Sequence, residues 1–429
     1  MFDPKAVIEG RTPGRARVGL IVGTVLAVLC AILVLGVDLL ESLGSGKHSA
    51  VPFFIALPFA LLPVPLLVAL VLLLDRLEPE PRAQLLFAFA WGAGVAALFA
   101  ALINTAGMVF ITQPALGTTN GDYVSAAFGA PVVEETLKGA FLAGMLWRRR
   151  TELDGPTDGI IYAAMVGLGF AMVENVGYYI EALVKPAIGG EKLLEFTFVL
   201  RGLLSPLAHP IFTSMTGLGA AYAASHRRAW WALPLGWAGA MVLHGTWNGL
   251  SKFGLGGVAV AYAILFCVFI GLIVVLVNDR RRIVALIWRV LPGYAPTGLV
   301  TPADVQMLST LDARRQARRW ARATGGRPAA AAMADYQLAA TELALLHQRA
   351  ERGVTDPATF AQRQQALVGL MQVARGAFLR HQPEPPLPPW AAPGASGLTH
   401  ARTFAAPMPP PAPPPWPPAG PGPGQPLRP

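Results

Sequence analysis

Charge is what this chain has least of. Only 14% of its 429 residues are Asp, Glu, Lys or Arg, against 54% hydrophobic, and its mean hydropathy is +0.48. Soluble domains carry about a quarter charged residues, so an ordinary soluble enzyme is excluded. Cysteine is nearly missing too. Cys30 and Cys267 are the two present, both inside hydrophobic runs, which argues against a disulfide framework and against a Cys-based zinc site. No small-x-small cleavage site follows the first apolar run, Val18 to Leu40, so a span is expected there rather than a cleaved signal peptide. The formal net charge of +9 would elsewhere suggest nucleic acid. Here Arg and Lys cluster beside hydrophobic runs, where they set topology and meet anionic head groups, so no nucleic-acid partner is expected.

What is present is a series of apolar segments, at roughly 18–40, 51–74, 83–112, 123–147, 159–181, 196–224, 229–250 and 258–278. Each is near or above the ~20 residues a bilayer needs. The basic loops (the N-terminus with Lys5, Arg11, Arg15 and Arg17, Arg76 to Arg82, Arg148–Arg150, His226–Arg228 and Arg280–Arg282) all fall on one side when eight spans are counted. The positive-inside rule then puts both termini in the cytoplasm of a multi-pass cell-membrane protein. The expected fold class is all-α, a polytopic bundle of about eight transmembrane helices with a cytoplasmic helical extension and a disordered Pro-rich tail. Its divisions are a basic N-terminus (1–17), a transmembrane domain (18–280), the extension (281–381) and the tail (382–429).

Within the extension, Ile283 to Tyr294 reads as an interfacial helix. Thr301-Pro302 reads as the cap of a helix bearing the basic stripe Arg314, Arg315, Arg318, Arg319 and Arg322. Helices are expected from about Pro328 to Arg352 and from Asp356-Pro357 to about Arg380. The tail from Gln382 cannot bury a core and could offer a polyproline segment to a partner.

The scarce charges are not scattered. Glu134, Glu135 and Lys138 lie together inside the fourth apolar run. Ionisable groups in a spanning helix are rare and mark working sites, because an unpartnered charge in hydrocarbon costs several kcal/mol. Lys138 lies one turn beyond Glu134 and beside Glu135, and can offset one of the two negative charges. The fifth run holds Glu174 and Asn175, with Tyr178 one turn later. The sixth begins with Arg201, Ser205, His209 and Thr213 at every fourth position, read as one polar face of one helix. The seventh ends with His244, Trp247 and Asn248. Four spans thus bring polar groups to overlapping depths.

A carboxylate shielded from water beside a second carboxylate suits a general base. Imidazoles opposite can polarise a carbonyl or hand a proton to a leaving amine, and Asn175 or Asn248 can donate to an oxyanion. Together such groups would hydrolyse an amide bond. No Ser-His-Asp pattern is evident and HExxH is absent. A zinc site from Glu174, His209 and His244 is chemically reasonable but has no ligand spacing to support it. The same residue types also suit a proton-coupled transporter, or a non-catalytic scaffold that holds a partner helix.

Taken in order, Glu134-Glu135-x-x-Lys138, Phe170-x-x-x-Glu174-Asn175, His209-x-x-x-Thr213 and His244-x-x-Trp247-Asn248 resemble the PrsW family of bacterial intramembrane proteases, distant relatives of type II CAAX prenyl proteases. The resemblance covers about Asp75 to Asn278, including Leu77-Glu78-Pro79-Glu80-Pro81. It implies cleavage of single-pass membrane substrates such as anti-sigma factors in stress signalling. It also implies catalytic positions at Glu134, Glu135, Glu174, His209 and His244, beside which Lys138, Asn175 and Asn248 are read from their own chemistry as supporting residues. The family is often described as metalloproteases, while its CAAX relatives use glutamate-activated water, so the resemblance leaves zinc open. It implies nothing about the extension.

Overall fold

The computed structural model describes residues 13–44, 49–74, 79–184 and 190–379. Lys5, Arg11, Leu77, Glu78 and the Pro-rich tail lie outside the described residues. The described chain is helical, without strands, and falls into two compact units divided at Arg280/Arg281.

The first unit contains α1 (Pro13–Gly44), α2 (Val51–Leu61), α3 (Val64–Leu74), α4 (Arg82–Leu116), α5 (Thr118–Val124), α6 (Ala130–Arg148), α7 (Pro156–Val184), α8 (Gly190–Phe198), α9 (Ala208–Ser225), α10 (Ala232–Ser251) and most of α11 (Gly254–Val290). Among the described residues, five segments are long and apolar enough to cross a membrane: Val18–Gly44, Val51–Leu74, Arg82–Leu116, Pro156–Val184 and Gly254–Thr297. They match the first, second, third, fifth and eighth expected spans. The other three expected spans are also helical, as α6, α9 and α10, but these are shorter or carry the polar residues that lower their hydropathy. The third span extends past its expected end as one helix to Leu116, with π turns at Trp91–Ala96 and Met108–Thr112. Such turns shift the face a helix presents.

The central post is α7, whose apolar window is 83% buried, against 11% for α1 and for Val51–Leu74. Its small residues allow this. A Cβ on Gly159 would lie 2.2 Å from the carbonyl oxygen of Gly217, and one on Gly217 would lie 2.1 Å from that of Gly159, so α7 and α9 touch backbone to backbone. The run Gly217 to Ala221 is thus the close helix contact its composition suggests.

The sixth span departs from expectation. Rather than one helix with a single polar face, it is α8, a π turn at Val199–Leu204, a break at Ser205–Leu207, and then α9. Pro206 offers no backbone N–H and disfavours helix at the residue before it. The Ser205 hydroxyl donates to the Leu200 carbonyl at 2.6 Å, closing the π turn.

The second unit begins within α11 and includes α12 (Pro302–Leu308), α13 (Leu311–Glu351) and α14 (Pro357–Leu379). The stretch expected as an interfacial helix is instead the end of α11 and a 3₁₀ turn, Leu291–Thr297. Its Ile283, Leu286, Ile287, Leu291 and Tyr294 are buried in the unit's core with Leu343, Phe360 and Met371. Helical spacing of apolar residues serves a lipid surface and a protein core equally well, and here the core has it. Thr301 caps α12 in a reciprocal box with Asp304, as Thr301-Pro302 suggests. That helix ends at Leu308, however, and Thr310 caps a second one. The arginine stripe therefore sits on α13, and Arg314 is not on a solvated face. It is buried, donating to the Leu308 carbonyl at 2.8 Å and the Thr341 hydroxyl at 2.9 Å.

Candidate active site

On α6, Glu134, Glu135 and Lys138 share one face by helical spacing, and all three are buried. Lys138 does more than offset one charge: its Nζ lies 2.9 Å from Glu135 Oε1 and 3.3 Å from Glu134 Oε2. The same ammonium reaches His209 Nδ1 at 3.0 Å and lies 3.7 Å over the Phe170 ring.

The two glutamates have different surroundings. Glu135 is fully enclosed, with Oε1 facing Lys138 and His244 Nδ1 (3.0 Å) and Oε2 accepting from the Thr213 hydroxyl at 3.0 Å. Glu134 lines a cavity of about 310 Å³, and the amide of Asn104, from α4, donates to its Oε1 at 3.3 Å. Glu174 borders the same cavity. It accepts from Arg201 Nη2 at 2.6 Å, and its Oε2 lies 2.8 Å from His209 Nε2.

All five expected catalytic residues are therefore linked. Glu134, Glu135, Glu174, His209 and His244 come from four helices and form one hydrogen-bonded network through Lys138. Aromatic rings fix the imidazoles. His244 stacks on Phe212 at 4.7 Å, and His209 lies 5.2 Å from the Phe170 ring centre. Three carboxylates face two permanent cations, Lys138 and Arg201, so one negative charge stays uncompensated when both imidazoles are neutral.

The supporting residues are distributed differently from expectation. Asn175 Oδ1 accepts from Arg201 Nε at 2.7 Å, so it orients the guanidinium rather than facing a reacting group. Asn248 donates to the Ala126 carbonyl at 2.9 Å and is not joined to His244; it ties α10 to the turn before α6. Sequence reasoning missed Asn104, Arg201 and Thr213 as members of the site. The signals were there: an amide in the third span, and Arg201 and Thr213 in register with His209. Across the break at Ser205–Leu207, Arg201 and His209 still meet at Glu174.

A metal would have a place here. Glu134, His209 and His244 each offer one ligand atom, all within 4.8 Å of one another. The group differs from the Glu174, His209 and His244 set that the sequence allowed, because Glu174 is engaged by Arg201 and His209. Two imidazoles and a carboxylate suit zinc. Glu135 behind His244 and Glu174 behind His209 are the outer carboxylates that orient such ligands. The donor set fits, on the condition that the Lys138 ammonium gives up its contacts with Glu134 and His209.

A family model described as "PrsW family intramembrane metalloprotease" matches residues 80–276. "Protease PrsW" of Geobacillus kaustophilus (strain HTA426) is 28% identical over 181 residues, which cover 41% of this chain and 70% of that protein. No solved structure matches the chain. The matched segment contains every residue of the network, and over that segment the chain is similar to the PrsW family of intramembrane proteases.

Proposed function

We propose that this enzyme hydrolyses a peptide bond of a single-pass membrane protein, such as an anti-sigma factor, with a water activated by Glu134. The observation that carries this reading is the convergence of Glu134, Glu174, His209 and His244 at one cavity-side network inside an apolar bundle. Of the paired glutamates, Glu134 is the base because it borders the cavity. Both Glu135 oxygens are taken, so Glu135 holds His244 and Lys138 in place.

A base must reach both the water and the carbonyl that the water attacks. Asn104 and Lys138 hold the Glu134 carboxylate still from two sides. His244, anchored through Nδ1, presents Nε2 toward Glu134, 4.0 Å from its Oε2. With its Nδ1–H donated to Glu135, Nε2 can take up the proton that Glu134 removes from the water, and the resulting imidazolium is placed to donate to the oxyanion and to protonate the leaving amine. Lys138 adds a fixed positive charge where the oxyanion forms. Should zinc be bound, Glu134, His209 and His244 would hold it, and it would supply carbonyl polarisation and a more acidic water.

We also place the basic loops, and with them both termini, on the cytoplasmic side of the cell membrane. The test is purified full-length protein in liposomes with a single-pass reporter, assayed for a shorter fragment alongside metal analysis and chelator treatment. Release of the fragment is expected. A folded preparation that releases none from any reporter overturns the reading.

A further inference from the structure

We infer that Asp38 sets the charge preference of this protease, by pairing with a lysine or arginine on the substrate close to the bond that is cut. The inference rests on the protease reading above and adds to it the chemistry of the substrate. Asp38 lies on α1, outside the segment that matches the family, in a helix whose best window has a mean hydropathy of 3.0. An acid in such a helix needs a partner. Its Oδ2 is buried and accepts no hydrogen bond, and no cation among the described residues pairs with it.

The side chain lines the same cavity as Glu134, Glu174, Asn104 and Asp122. Asn104 gives its amide N–H to Glu134, which leaves its Oδ1 buried and unpartnered as well. Asp122 accepts from Gln113. Within the network, Glu134 and Glu174 already have cations in Lys138 and Arg201. Among the residues lining the cavity, the buried side-chain atoms left without a partner are both acceptors, Asp38 Oδ2 and Asn104 Oδ1. The complement to such walls is a ligand rich in donors. An extended peptide with backbone N–H groups and one cationic side chain fits, while an acidic segment is repelled.

Position narrows this further. Asp38 Oδ1 lies 3.8 Å from where a Cβ on Gly177 would be, and Gly177 is three residues beyond Glu174 on the same side of α7. That offset is roughly one helical turn, about 5 Å. An extended substrate advances ~3.3 Å per residue, which puts the cationic side chain within about three residues of the cleaved bond.

The experiment uses full-length protein in liposomes and reporters with Lys, Gln or Glu at each of the three positions on either side of the cut. For wild type, the ratio of initial rates, Lys over Glu, should be about tenfold or more at one position, expressed mainly in KM. Asp38→Asn should bring that ratio near one, and Asp38→Lys should invert it. Because the ratio is taken within each variant, a general loss of activity does not mimic the result. If Asp38→Lys fails to fold, Asp38→Asn carries the test alone. An unchanged ratio in the variants overturns the assignment and leaves the protease reading standing. Wild type that cuts no reporter overturns both.

Discussion

The two units of this protein both bury charge, and they do so to different ends. In the second unit, Arg314 spends its donors on the Leu308 carbonyl and the Thr341 hydroxyl, and Tyr294 is held by Gln364 and His347. These are largely neutral or backbone partners, close at hand, and they tie helices together. In the first unit, three carboxylates, two cations and two imidazoles from separate elements converge, and Glu134 and Glu174 open onto a cavity. Structure alone does not call for such an arrangement, since buried ion pairs seldom repay their desolvation. A buried charge completed by backbone is scaffolding, whereas a charge surplus facing a cavity is reserved for chemistry.

The comparison breaks most visibly at Glu134. Glu134→Gln keeps the shape but removes the base, and release of a reporter fragment should fall by about 10²- to 10⁴-fold with the fold intact by circular dichroism. If both proteins cleave equally, Glu134 is not the base. Next comes Lys138→Met, which leaves buried carboxylates uncompensated and should destabilise the first unit by roughly 3–5 kcal/mol in detergent unfolding. Zinc should raise the Tm of this variant more than that of the parent, because the ammonium competes for Glu134 and His209. Equal shifts would argue against a metal at that trio. Arg201→Gln sharpens the contrast by releasing Glu174, and with it the orientation of His209. Activity, or metal affinity if an ion is bound, should drop about 10- to 100-fold.

Effects in the second unit should be smaller and confined to it. Arg314→Met should lower local stability by about 1–3 kcal/mol, seen as faster hydrogen exchange at Leu308 and Thr341. Fragment release should not change, and a lost activity would show that the extension takes part in catalysis. Smallest is a pH effect at His347. Burial holds its imidazole below the ordinary value, with Arg289 pushing the same way and Glu351 opposing. The unfolded chain then binds the proton more readily than the folded one, so stability is present above about pH 6.5 and is lost as pH falls through the lower folded value. Hydrogen exchange around Tyr294 should quicken on acidification in the parent and lose this pH dependence in His347→Gln.

Much of the site was legible because a charge in an apolar run has few innocent explanations. Glu134, Glu135, Glu174, His209 and His244 all announced themselves that way. Asn104, Arg201 and Thr213 did not, since an isolated amide, an Arg near a helix end and a Thr are as often packing or interfacial residues. The stripe from Arg201 to Thr213 has the period of one helix, yet Pro206 within it breaks the helix at Ser205–Leu207. The Arg314 stripe misled for a related reason: spacing shows which residues share a face, but not whether that face meets water or a neighbouring helix.

By itself the sequence settled the all-α class, the membrane-spanning character and the residue types at the centre, because apolar length and the penalty on lipid-buried charge act on local stretches of chain. Only the tertiary structure decided which glutamate opens to the cavity, that Lys138 serves both carboxylates and His209, that Glu134 rather than Glu174 joins the two histidines, and that Ile283 to Tyr294 belongs to a core. Those outcomes depend on distances between groups far apart in the chain; in the first unit the close backbone approach of α7 and α9 helps to set them, and in the second the packing of Ile283 to Tyr294 against Leu343, Phe360 and Met371 does.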